Sequence, residues 1–369
     1  NPDTSADFDI YRRAITGTQP TLISRAAGAL GVKGNGTSYQ PAISDDGTVI
    51  AFTSEASNLD AADTDTTDDV YQRDVGPVAP TTKLVSRATG LGGAAADSFA
   101  AAPAMDGTGD TIAFASGATN LSPADPSTGT DVYLRRVTSG TTTLVSRADG
   151  AAGTVLNDAQ TPAVSDDGAR VAFTSQSAAI APVNTTQLVQ RTVGTNATTI
   201  VSSTGSAATP LFGALRPLYV GASGTIVFSA AGPLIPDTDG IFTSVYLRDP
   251  GAVPQLVSRP TGSAPVVTRM STGNTGFEPW SRSLSADGRY LVFQTRSPAI
   301  TGVAAEAMQI VRRDLLTGES LVVSRATGAS GALANDYAYD ASISADGNRI
   351  VFASGSDNLD PADTDGDND

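Results

Sequence analysis

A short segment recurs six times along the 369-residue chain, and this internal repeat constrains the fold more than any other feature. Its clearest forms are "PAISDDGTVIAFTS", "PAMDGTGDTIAFAS" and "PAVSDDGARVAFTS". The six copies begin at Pro41, Pro103, Pro162, Arg216, Ser281 and Ala341. Self-similarity at nearly regular intervals along the chain indicates a repeat architecture. In such an architecture each copy is a small structural unit that is stable only beside its neighbours.

Each copy has the pattern of four short strands. The repeat itself supplies two apolar segments around an Asp-Gly turn, which suits a tight reversal of the backbone. Two further strand-like segments follow, one of the form "DVYQRD" and one of the form "LVSRATG". These segments are rich in Val, Ile, Leu and Phe, and they lack a helical period. Four antiparallel strands per repeat predict the blade of a β-propeller, so the predicted fold class is all-β.

The last copy is matched by segments near the start of the chain. Residues 341–369 contain only its first two strands, whereas "DFDIYRRAI" (7–15) and "TLISRAAG" (21–28) match the third and fourth. The sequence therefore predicts a six-bladed β-propeller whose last blade is closed by N-terminal strands pairing with C-terminal strands, which removes two exposed sheet edges. Closure within one chain is favoured because it carries no association cost, whereas closure between chains would give oligomers or fibres.

We interpret residues 1–369 as a single propeller domain. The predicted blades are residues 41–90, 103–150, 162–205, 216–262 and 281–328, with residues 341–369 and 7–28 together forming the sixth. The weaker forms of the repeat are the copies at Arg216, Ser281 and Ala341.

The repeat also resembles a known family. The stretches "PAISDDGTVIAF" and "SADGRYLVF" resemble the bacterial WD40-like repeats of TolB-like six-bladed propellers, and the resemblance covers essentially the whole chain. The chain differs from true WD40 repeats, since it has no Trp-Asp dipeptide and no histidine. No segment corresponds to the helical domain that precedes the propeller in TolB. The resemblance implies a location in the periplasm or outside a bacterial cell.

Composition excludes several classes of function. The chain has no cysteine and no histidine, which excludes disulfides, Cys-His and Ser-His-Asp nucleophiles and histidine-ligated metals. Its formal net charge of −15 opposes binding to nucleic acid, which needs a basic face. No apolar run approaches the roughly 20 residues of a membrane-spanning helix, so we expect no membrane insertion.

Arginine recurs at one position of the third predicted strand and at one position of the fourth. The first set is Arg13, Arg73, Arg135, Arg191, Arg248 and Arg313, and the second is Arg25, Arg87, Arg147, Arg259 and Arg325. A position repeated in nearly every blade favours architecture over a single active site, so we expect structural arginines. Their expected partners are the turn aspartates Asp46, Asp167, Asp287 and Asp346. The alternative is a ring of arginines that binds an anionic polymer.

Acidic loops connect the second and third predicted strands of several blades. Carboxylates at alternate positions around a glycine suit Ca²⁺, which prefers oxygen ligands and tolerates flexible geometry. The predicted calcium ligands are Asp63, Asp65, Asp68, Asp237, Asp239, Asp363, Asp365 and Asp367. The alternative is a set of solvated turns that keep the protein soluble.

Aromatic and polar residues collect in the loops that lead from one predicted blade into the next, at the mouth of the predicted channel. The candidates for ligand contact are Phe277, Glu278, Trp280, Asp336, Tyr337 and Tyr339. Rings beside Asn and Asp on a concave face suit a carbohydrate or a peptide, because the rings cover apolar patches while the amides and acids bond polar groups. The alternative is that residues such as Tyr39 and Tyr339 pack between blades.

These features predict a non-catalytic binding or scaffolding propeller, exported and monomeric, with a protein or glycan partner. The partner is expected on the face that carries both the acidic and the aromatic loops. One alternative is a carboxylate-based glycoside hydrolase, in which Glu278 faces Asp158, Asp336 or Asp340 across the channel mouth. The other is a structural subunit that assembles by blade closure between chains.

Overall fold

The structure is a computed structural model, and it describes a defined part of the chain. The described residues are 7–12, 20–76, 79–125, 127–180, 185–202, 216–231, 243–258, 261–262, 283–296, 298–302, 307–326, 331–344 and 346–359. The chain divides into two compact units, one of Asn1–Asn184 with Leu188–Ile200 and one of Thr185–Gln187 with Val201–Asp369.

The described residues of the first unit form four-stranded antiparallel sheets and one two-stranded sheet. The strands are β1 (Tyr11–Arg12), β2 (Thr21–Leu22), β3 (Ser38–Ile43), β4 (Val49–Ser54), β5 (Asp69–Asp74), β6 (Thr81–Leu84), β7 (Ala100–Met105), β8 (Thr111–Ser116), β9 (Asp131–Arg136), β10 (Thr141–Leu144), β11 (Gln160–Val164), β12 (Arg170–Ser175), β13 (Gln187–Thr192) and β14 (Ala197–Ile200). The sheet orders are β3-β4-β5-β6, β7-β8-β9-β10 and β11-β12-β13-β14, while β1 pairs with β2. Each four-stranded sheet is therefore a simple meander.

The second unit continues the same pattern. Its elements are β15 (Arg216–Val220), β16 (Ile226–Ala231), β17 (Thr243–Arg248), β18 (Gln255–Leu256), β19 (Tyr290–Thr295), α1 (Pro298–Thr301), β20 (Gln309–Asp314), β21 (Ser320–Val322), β22 (Ala338–Ile343) and β23 (Ile350–Ser354). They form a β15-β16-β17-β18 sheet, a β19-β20-β21 sheet and a β22-β23 hairpin. Within the described part of the chain, no helix has the length and apolar character needed to cross a membrane.

The observed sheets confirm the predicted all-β class with four-stranded antiparallel units. The β1-β2 hairpin corresponds to the third and fourth strands of a four-stranded sheet, since Tyr11 lies opposite Leu22 as Tyr71 lies opposite Leu84. The β22-β23 hairpin corresponds to the first and second strands, and the structure describes these two hairpins as separate sheets. The count of six blades and the closure of the last blade stay predictions.

An aromatic pair is buried between the second and third strands of three sheets. The pairs are Phe52–Tyr71, Phe114–Tyr133 and Phe228–Tyr246, with ring centroids 5.9, 5.9 and 5.6 Å apart. In each pair the two residues lie directly opposite one another in the strand register. This stacking is the structural reason that "AF" and "VY" recur in the sequence, because cross-strand aromatic pairs stabilise a sheet.

A side-chain hydrogen bond fastens the fourth strand to the start of the third. Ser86 Oγ donates to Asp69 Oδ1 at 2.5 Å and accepts a hydrogen bond from the Val70 amide at 3.0 Å. The equivalent acceptor and serine pairs are Asp9–Ser24, Asp131–Ser146, Gln187–Ser202 and Gln309–Ser324. The acceptor position thus tolerates an acid or a neutral amide.

Three arginines of the third strand, Arg73, Arg135 and Arg191, bind backbone carbonyls instead of the expected turn aspartates. Arg73 donates from Nη1 to the carbonyl oxygens of Arg25 and Ala26 at 3.0 and 2.8 Å, and from Nη2 to that of Gly28 at 2.9 Å. Arg135 and Arg191 repeat this pattern one sheet further along each time. In the second unit Arg248 donates to the carbonyl of Val201 and Arg313 donates to Ser320 Oγ. Arg13 lies outside the described residues.

The turn aspartates have local partners. Asp46 accepts hydrogen bonds from the Thr48 amide at 2.9 Å and from Ser44 Oγ at 2.8 Å, and these bonds hold its pKa below the ordinary value. The same arrangement recurs at Asp167, Asp287 and Asp346. Each aspartate therefore stabilises its own hairpin turn, as short acidic side chains do in tight reversals.

The arginines of the fourth strand brace the loop that follows them. Arg87 Nε donates to the carbonyl oxygen of Gly93 at 2.9 Å. The equivalent pairs are Arg25–Gly31, Arg147–Gly153 and Arg325–Gly331. Three of these loops, those after Arg25, Arg87 and Arg147, meet the next hairpin, where the Gly90 amide, for example, donates to the carbonyl of Gly140 at 2.7 Å. Arg259 lies outside the described residues.

Candidate functional site

The acidic loop between β4 and β5 is attached to its surroundings at its start. Asn58 donates from Nδ2 to the carbonyl of Lys33 at 2.9 Å and accepts from the Asn35 amide at 3.1 Å. Asp60 Oδ2 accepts from the Leu84 amide at 2.9 Å. Asn58 therefore ties the acidic loop to the loop that leads into β3.

A buried tyrosine holds the middle of this loop. The Tyr71 hydroxyl donates to Asp63 Oδ2 and lies 3.0 Å from the carbonyl oxygen of Ala56. Burial, followed by the bond to Asp63, raises the pKa of Tyr71 well above its ordinary value. The hydroxyl therefore stays a hydrogen-bond donor, and Asp63 is fixed in position by it.

Three carboxylates meet in this loop. One oxygen from each of Asp63, Asp65 and Asp69 lies within 4.8 Å of the other two. Asp63 and Asp69 are buried, whereas Asp65 is exposed to solvent. Burial is the largest cause that raises the pKa of Asp69 to about 7, and the charges of Asp63, Asp65 and Asp68 add to the effect. This grouping of oxygen ligands, two of them withdrawn from water, is the chemistry that a hard divalent cation prefers.

Asp68 points to a different neighbour. Its side chain bonds to Tyr39, and burial together with this bond raises the pKa of the Tyr39 hydroxyl. Asp68 Oδ1 is a buried oxygen without a hydrogen-bond donor. Asp68 therefore flanks the cluster.

The β7–β10 sheet contains an equivalent loop, in which one of the three clustered acids is replaced. Asp125 takes the place of Asp63 and again accepts from a buried tyrosine, Tyr133. Ser127 takes the place of Asp65, and its Oγ donates to Asp131 Oδ2 at 2.7 Å. Asp131 is the equivalent of Asp69, and burial raises its pKa to about 6. In this sheet the Ser127 hydroxyl thus donates a hydrogen bond to the acid, Asp131. In the β3–β6 sheet the equivalent acid, Asp69, lies beside two further carboxylates.

Other sheets neutralise the same acid position in other ways. In the N-terminal hairpin, Lys33 Nζ lies 2.7 Å from Asp9 Oδ2, and Asp9 is the equivalent of Asp69. Lys33 stands at a bridge position that Ala95, Val155 and Leu333 occupy elsewhere. Gln187 and Gln309 replace the acid by a neutral amide. An ammonium group beside Asp9 shows that this position accepts a cation.

The structure brings together part of the predicted ligand set. Asp63 and Asp65 are members of the cluster, and Asp69 is a member that the predicted set did not include. Asp69 begins a strand whose "DVY" pattern recurs, so its sequence signal was that of a strand terminus. The remaining predicted ligands, Asp237, Asp239, Asp363, Asp365 and Asp367, lie outside the described residues.

The predicted channel-mouth residues are described only in part. Tyr337 is 46% exposed, and the Arg296 guanidinium lies over its ring at 4.8 Å from the centroid. Asp336 Oδ1 accepts from the Tyr337 amide at 2.7 Å, while the Asp336 amide donates to Ser356 Oγ at 2.9 Å. Tyr339 belongs to β22. Phe277, Glu278 and Trp280 lie outside the described residues.

Comparison with known proteins identifies the architecture. No protein-family model and no curated protein matches the chain. Among solved structures, the β-propeller domain of the Trilobed protease from Pyrococcus furiosus is similar with a TM-score of 0.50 and 10% identity, over 86% of this chain and 77% of that chain. The chain has a β-propeller fold. The predicted resemblance to propellers is thereby confirmed for the fold.

Other solved propellers are also similar to this chain. TolB from Acinetobacter baumannii has a TM-score of 0.44 and 14% identity, over 85% of this propeller and 62% of that chain. Oligogalacturonate lyase in complex with manganese has a TM-score of 0.48 and 13% identity, over 98% of this propeller and 83% of that chain.

Proposed function

We propose that this propeller is a non-catalytic binding or scaffolding module for a protein or carbohydrate partner. The observation that carries the proposal is an exposed ring at the same position of two loops. Phe99 and Tyr337 each come directly before the first strand of a unit, and they are 37% and 46% exposed. Loops fixed by repeated bonds can present such rings without altering the frame. A partly exposed ring suits the apolar face of a sugar or of a peptide side chain.

The binding proposal is tested with Phe99→Ala and Tyr337→Ala. The protein is screened against neutral polysaccharides, acidic polysaccharides and extended peptides, and the best ligand is titrated by calorimetry. We expect each substitution to weaken affinity about tenfold, since aromatic contacts dominate many interfaces and about 1.4 kcal/mol is a factor of ten. Leu316→Ala is the matched control, because Leu316 is a 78% exposed apolar residue next to β20.

Two results would contradict the binding proposal. If all three variants bound the ligand with the affinity of the wild type, the loop rings would take no part in recognition. Sugar release from a polysaccharide, lost in Glu278→Gln, would replace the proposal by a carboxylate-based glycoside hydrolase.

We propose six blades in a monomer, the sixth completed within one chain by the N-terminal strands. The N-terminal hairpin supports this, because it meets the β3–β6 sheet as the β3–β6 sheet meets the β7–β10 sheet. The Ser38 amide donates to the carbonyl of Phe8 at 2.8 Å, just as the Ala100 amide donates to that of Asp68 at 2.7 Å. The Trilobed protease propeller is described as having an open velcro topology, so an open ring is the alternative for this chain.

We further propose that the protein is exported to the periplasm or to the outside of a bacterial cell, and that Asp63, Asp65 and Asp69 bind Ca²⁺ there. Comparison with the other sheets supports the calcium proposal. The β3–β6 sheet brings together Asp63, Asp65 and Asp69, whereas the β7–β10 sheet has Ser127 in the place of Asp65. Extracellular modules use calcium sites of this oxygen-rich kind. Asp68 flanks the site, and the loops with Asp237 and Asp239 and with Asp363, Asp365 and Asp367 are proposed as further sites.

The calcium proposal is tested by exchanging one residue between two sheets. A ligand that binds only the folded state raises the melting temperature, so millimolar calcium is expected to raise that of the wild type by several degrees over EDTA. Asp65→Ser, which introduces the serine found at this position in the β7–β10 loop, is expected to abolish most of this rise. Ser127→Asp, which introduces the acid found at this position in the β3–β6 loop, is expected to enlarge it. Equal calcium shifts in all three proteins would contradict the proposal.

A further inference from the structure

The loop that leads into β3 and the loop that leads into β22 are built in the same way. In the first loop the Asn35 amide donates to Asn58 Oδ1 at 3.1 Å. In the second loop the Asn335 amide donates to Asn358 Oδ1 at 3.2 Å. Asn58 and Asn358 each donate in turn to a backbone carbonyl of the loop that they hold. Asn35 and Asn335 therefore occupy equivalent positions, and each serves as a reference for the other.

The two loops differ at the residue that follows this asparagine. Asn35 is followed by Gly36, which makes the only Asn-Gly pair of the sequence, whereas its equivalent is followed by Asp336. The Asp336 amide donates to Ser356 Oγ at 2.9 Å. In the first loop Ala56 takes the place of this serine, and the Gly36 amide has no hydrogen bond to any residue that the structure describes. The backbone nitrogen of Gly36 is therefore free to react.

The side chain next to this nitrogen is held weakly. Asn35 is exposed, and among the described residues its side chain makes one hydrogen bond, from Nδ2 to Ser57 Oγ at 3.1 Å. One exposed hydrogen bond contributes little to stability, so the side chain can change rotamer and bring its Cγ to the Gly36 nitrogen. Glycine has no Cβ to obstruct this approach.

We propose that Asn35 is a site of spontaneous deamidation in the folded protein. The Gly36 nitrogen loses its proton to water and forms a bond to Asn35 Cγ, while the side-chain nitrogen takes a proton and leaves as ammonia. The resulting cyclic imide adds water at either carbonyl carbon, which breaks one of the two bonds to the Gly36 nitrogen. The reaction consumes water, releases ammonia and leaves aspartate or isoaspartate at position 35. This inference goes beyond the proposed binding function and uses none of its residues.

The aspartate product fits the loop, whereas isoaspartate does not. In the loop that leads into β7 the equivalent residue is Asp97, whose carboxylate accepts from the amide and from Oγ1 of Thr119, both at 2.7 Å. Ser57 is the equivalent of Thr119 and offers the same two donors. Isoaspartate adds a carbon to the main chain directly after the amide that binds Asn58, so it disturbs the start of the acidic loop. We therefore expect the fold to favour aspartate.

Peptide mapping by mass spectrometry tests the proposal. The wild-type protein is incubated for several weeks at mildly alkaline pH, well below its melting temperature. Conversion at Asn35 is compared with that at Asn157 and Asn335, which stand at the equivalent position and are each followed by aspartate. We expect Asn35 to be converted at least about tenfold faster than the other two, because only Asn35 is followed by glycine.

Ala56→Ser tests the role of the free amide. This variant supplies the acceptor that Ser356 provides in the equivalent loop. We expect it to slow conversion at position 35 about tenfold, the order that one hydrogen bond to the reacting nitrogen supplies. Gly36→Ser should also slow conversion, but a Cβ at Gly36 would lie 2.9 Å from the backbone of Glu55. Since that variant is strained as well, Ala56→Ser carries the test.

Two results would overturn the proposal. If the protein unfolded in urea converted Asn35 while the folded protein did not, the fold would protect this asparagine. If Ala56→Ser left the rate at Asn35 unchanged with the fold intact, the free Gly36 amide would not be the cause of the reaction.

Asn35→Asp tests the fit of the aspartate product directly. We expect its melting temperature to stay within about two degrees of the wild type, because Ser57 offers the new carboxylate two donors. Asn335→Asp is the matched control, since Asn335 Nδ2 donates to Asp357 Oδ1 at 2.6 Å and the change sets two carboxylates against each other. A loss in Asn35→Asp as large as that in Asn335→Asp would contradict the fit of the product.

Discussion

At position 69 one carboxylate has two roles. Asp69 fastens β5 to β6 through Ser86, a role that an acid or an amide fills in several other sheets. In the β3–β6 sheet it also lies beside Asp63 and Asp65. An ionised carboxylate that is removed from water and set next to other negative charges is unfavourable unless a proton or a cation compensates it.

The proton linkage of Asp69 leads to a pH prediction. Folding raises the pKa of Asp69 from 3.8 to about 7, so between these values the folded state keeps a proton that the unfolded state has released. Stability therefore falls as the pH rises through this range, by a few kcal/mol, and the proton's contribution is lost above the folded pKa. We expect Asp69→Asn to flatten the melting temperature between pH 4 and pH 8 in EDTA, relative to the wild type.

Asp131→Asn is the matched control for this measurement. Its pKa is raised only to about 6, so the pH range that it flattens should end about one unit lower. Parallel pH curves for the wild type and Asp69→Asn would show that the Asp69 carboxylate does not titrate in this range.

Part of the candidate site could be predicted from sequence. Alternating acids in a loop indicated Asp63 and Asp65, because this spacing is a local signal. Asp69 was missed as a ligand because its recurring "DVY" context is that of a strand, and the sequence does not show that the strand start turns its side chain toward the loop. The serine at position 127 was equally uninformative until the two loops could be superposed residue by residue.

Among the elements, three loops after the fourth strand each contain a glycine that leaves no room for a side chain. A Cβ at Gly93 would overlap the carbonyl oxygen of Ala88, and the same holds for Gly31 with Ala26 and Gly153 with Ala148. The adjacent Gly92 has no other atom within 4 Å of such a Cβ. The two neighbouring glycines of "GLGG" therefore have different structural requirements.

We expect Gly93→Ala to lower the free energy of unfolding by about 2 kcal/mol or more, because the added carbon must displace backbone atoms. Gly92→Ala is the matched control and should change it by less than about 0.5 kcal/mol. Urea denaturation of both variants measures the difference. Similar midpoints would show that the loop can open without disturbing the arginine contacts on either side of it.

Strands and turns were the elements most open to prediction. Apolar alternation and Asp-Gly pairs are local signals, and they indicated four antiparallel strands per repeat. The partners of the repeated arginines were not predictable in the same way. Arg73 binds carbonyl oxygens of residues 25, 26 and 28, and every residue type carries a carbonyl, so no sequence pattern marks these acceptors.

For the whole molecule, the repeat carried most of the prediction. Because each unit contacts mainly its neighbours, a repeated sequence implies a repeated interface, and one interface then describes the others. Four hydrophobic clusters each combine residues of one sheet with residues of the following sheet, which agrees with this repetition. The fold class followed from this regularity. The closure of the last blade is less open to prediction, because it depends on pairing between segments at opposite ends of the chain.

The carbonyl contacts of the arginines also bear on the conditions that this protein can withstand. Salt weakens the attraction between opposite charges, and acid removes it by protonating carboxylates. A peptide carbonyl has no net charge and does not titrate in acid. We therefore expect the contacts of Arg73 and its equivalents to persist at high salt and at low pH. Their limit is alkaline, because burial lowers the pKa of Arg73 to about 10. In a molecule with 38 acidic residues, the contacts that Arg73, Arg135 and Arg191 make between neighbouring sheets thus need no carboxylate.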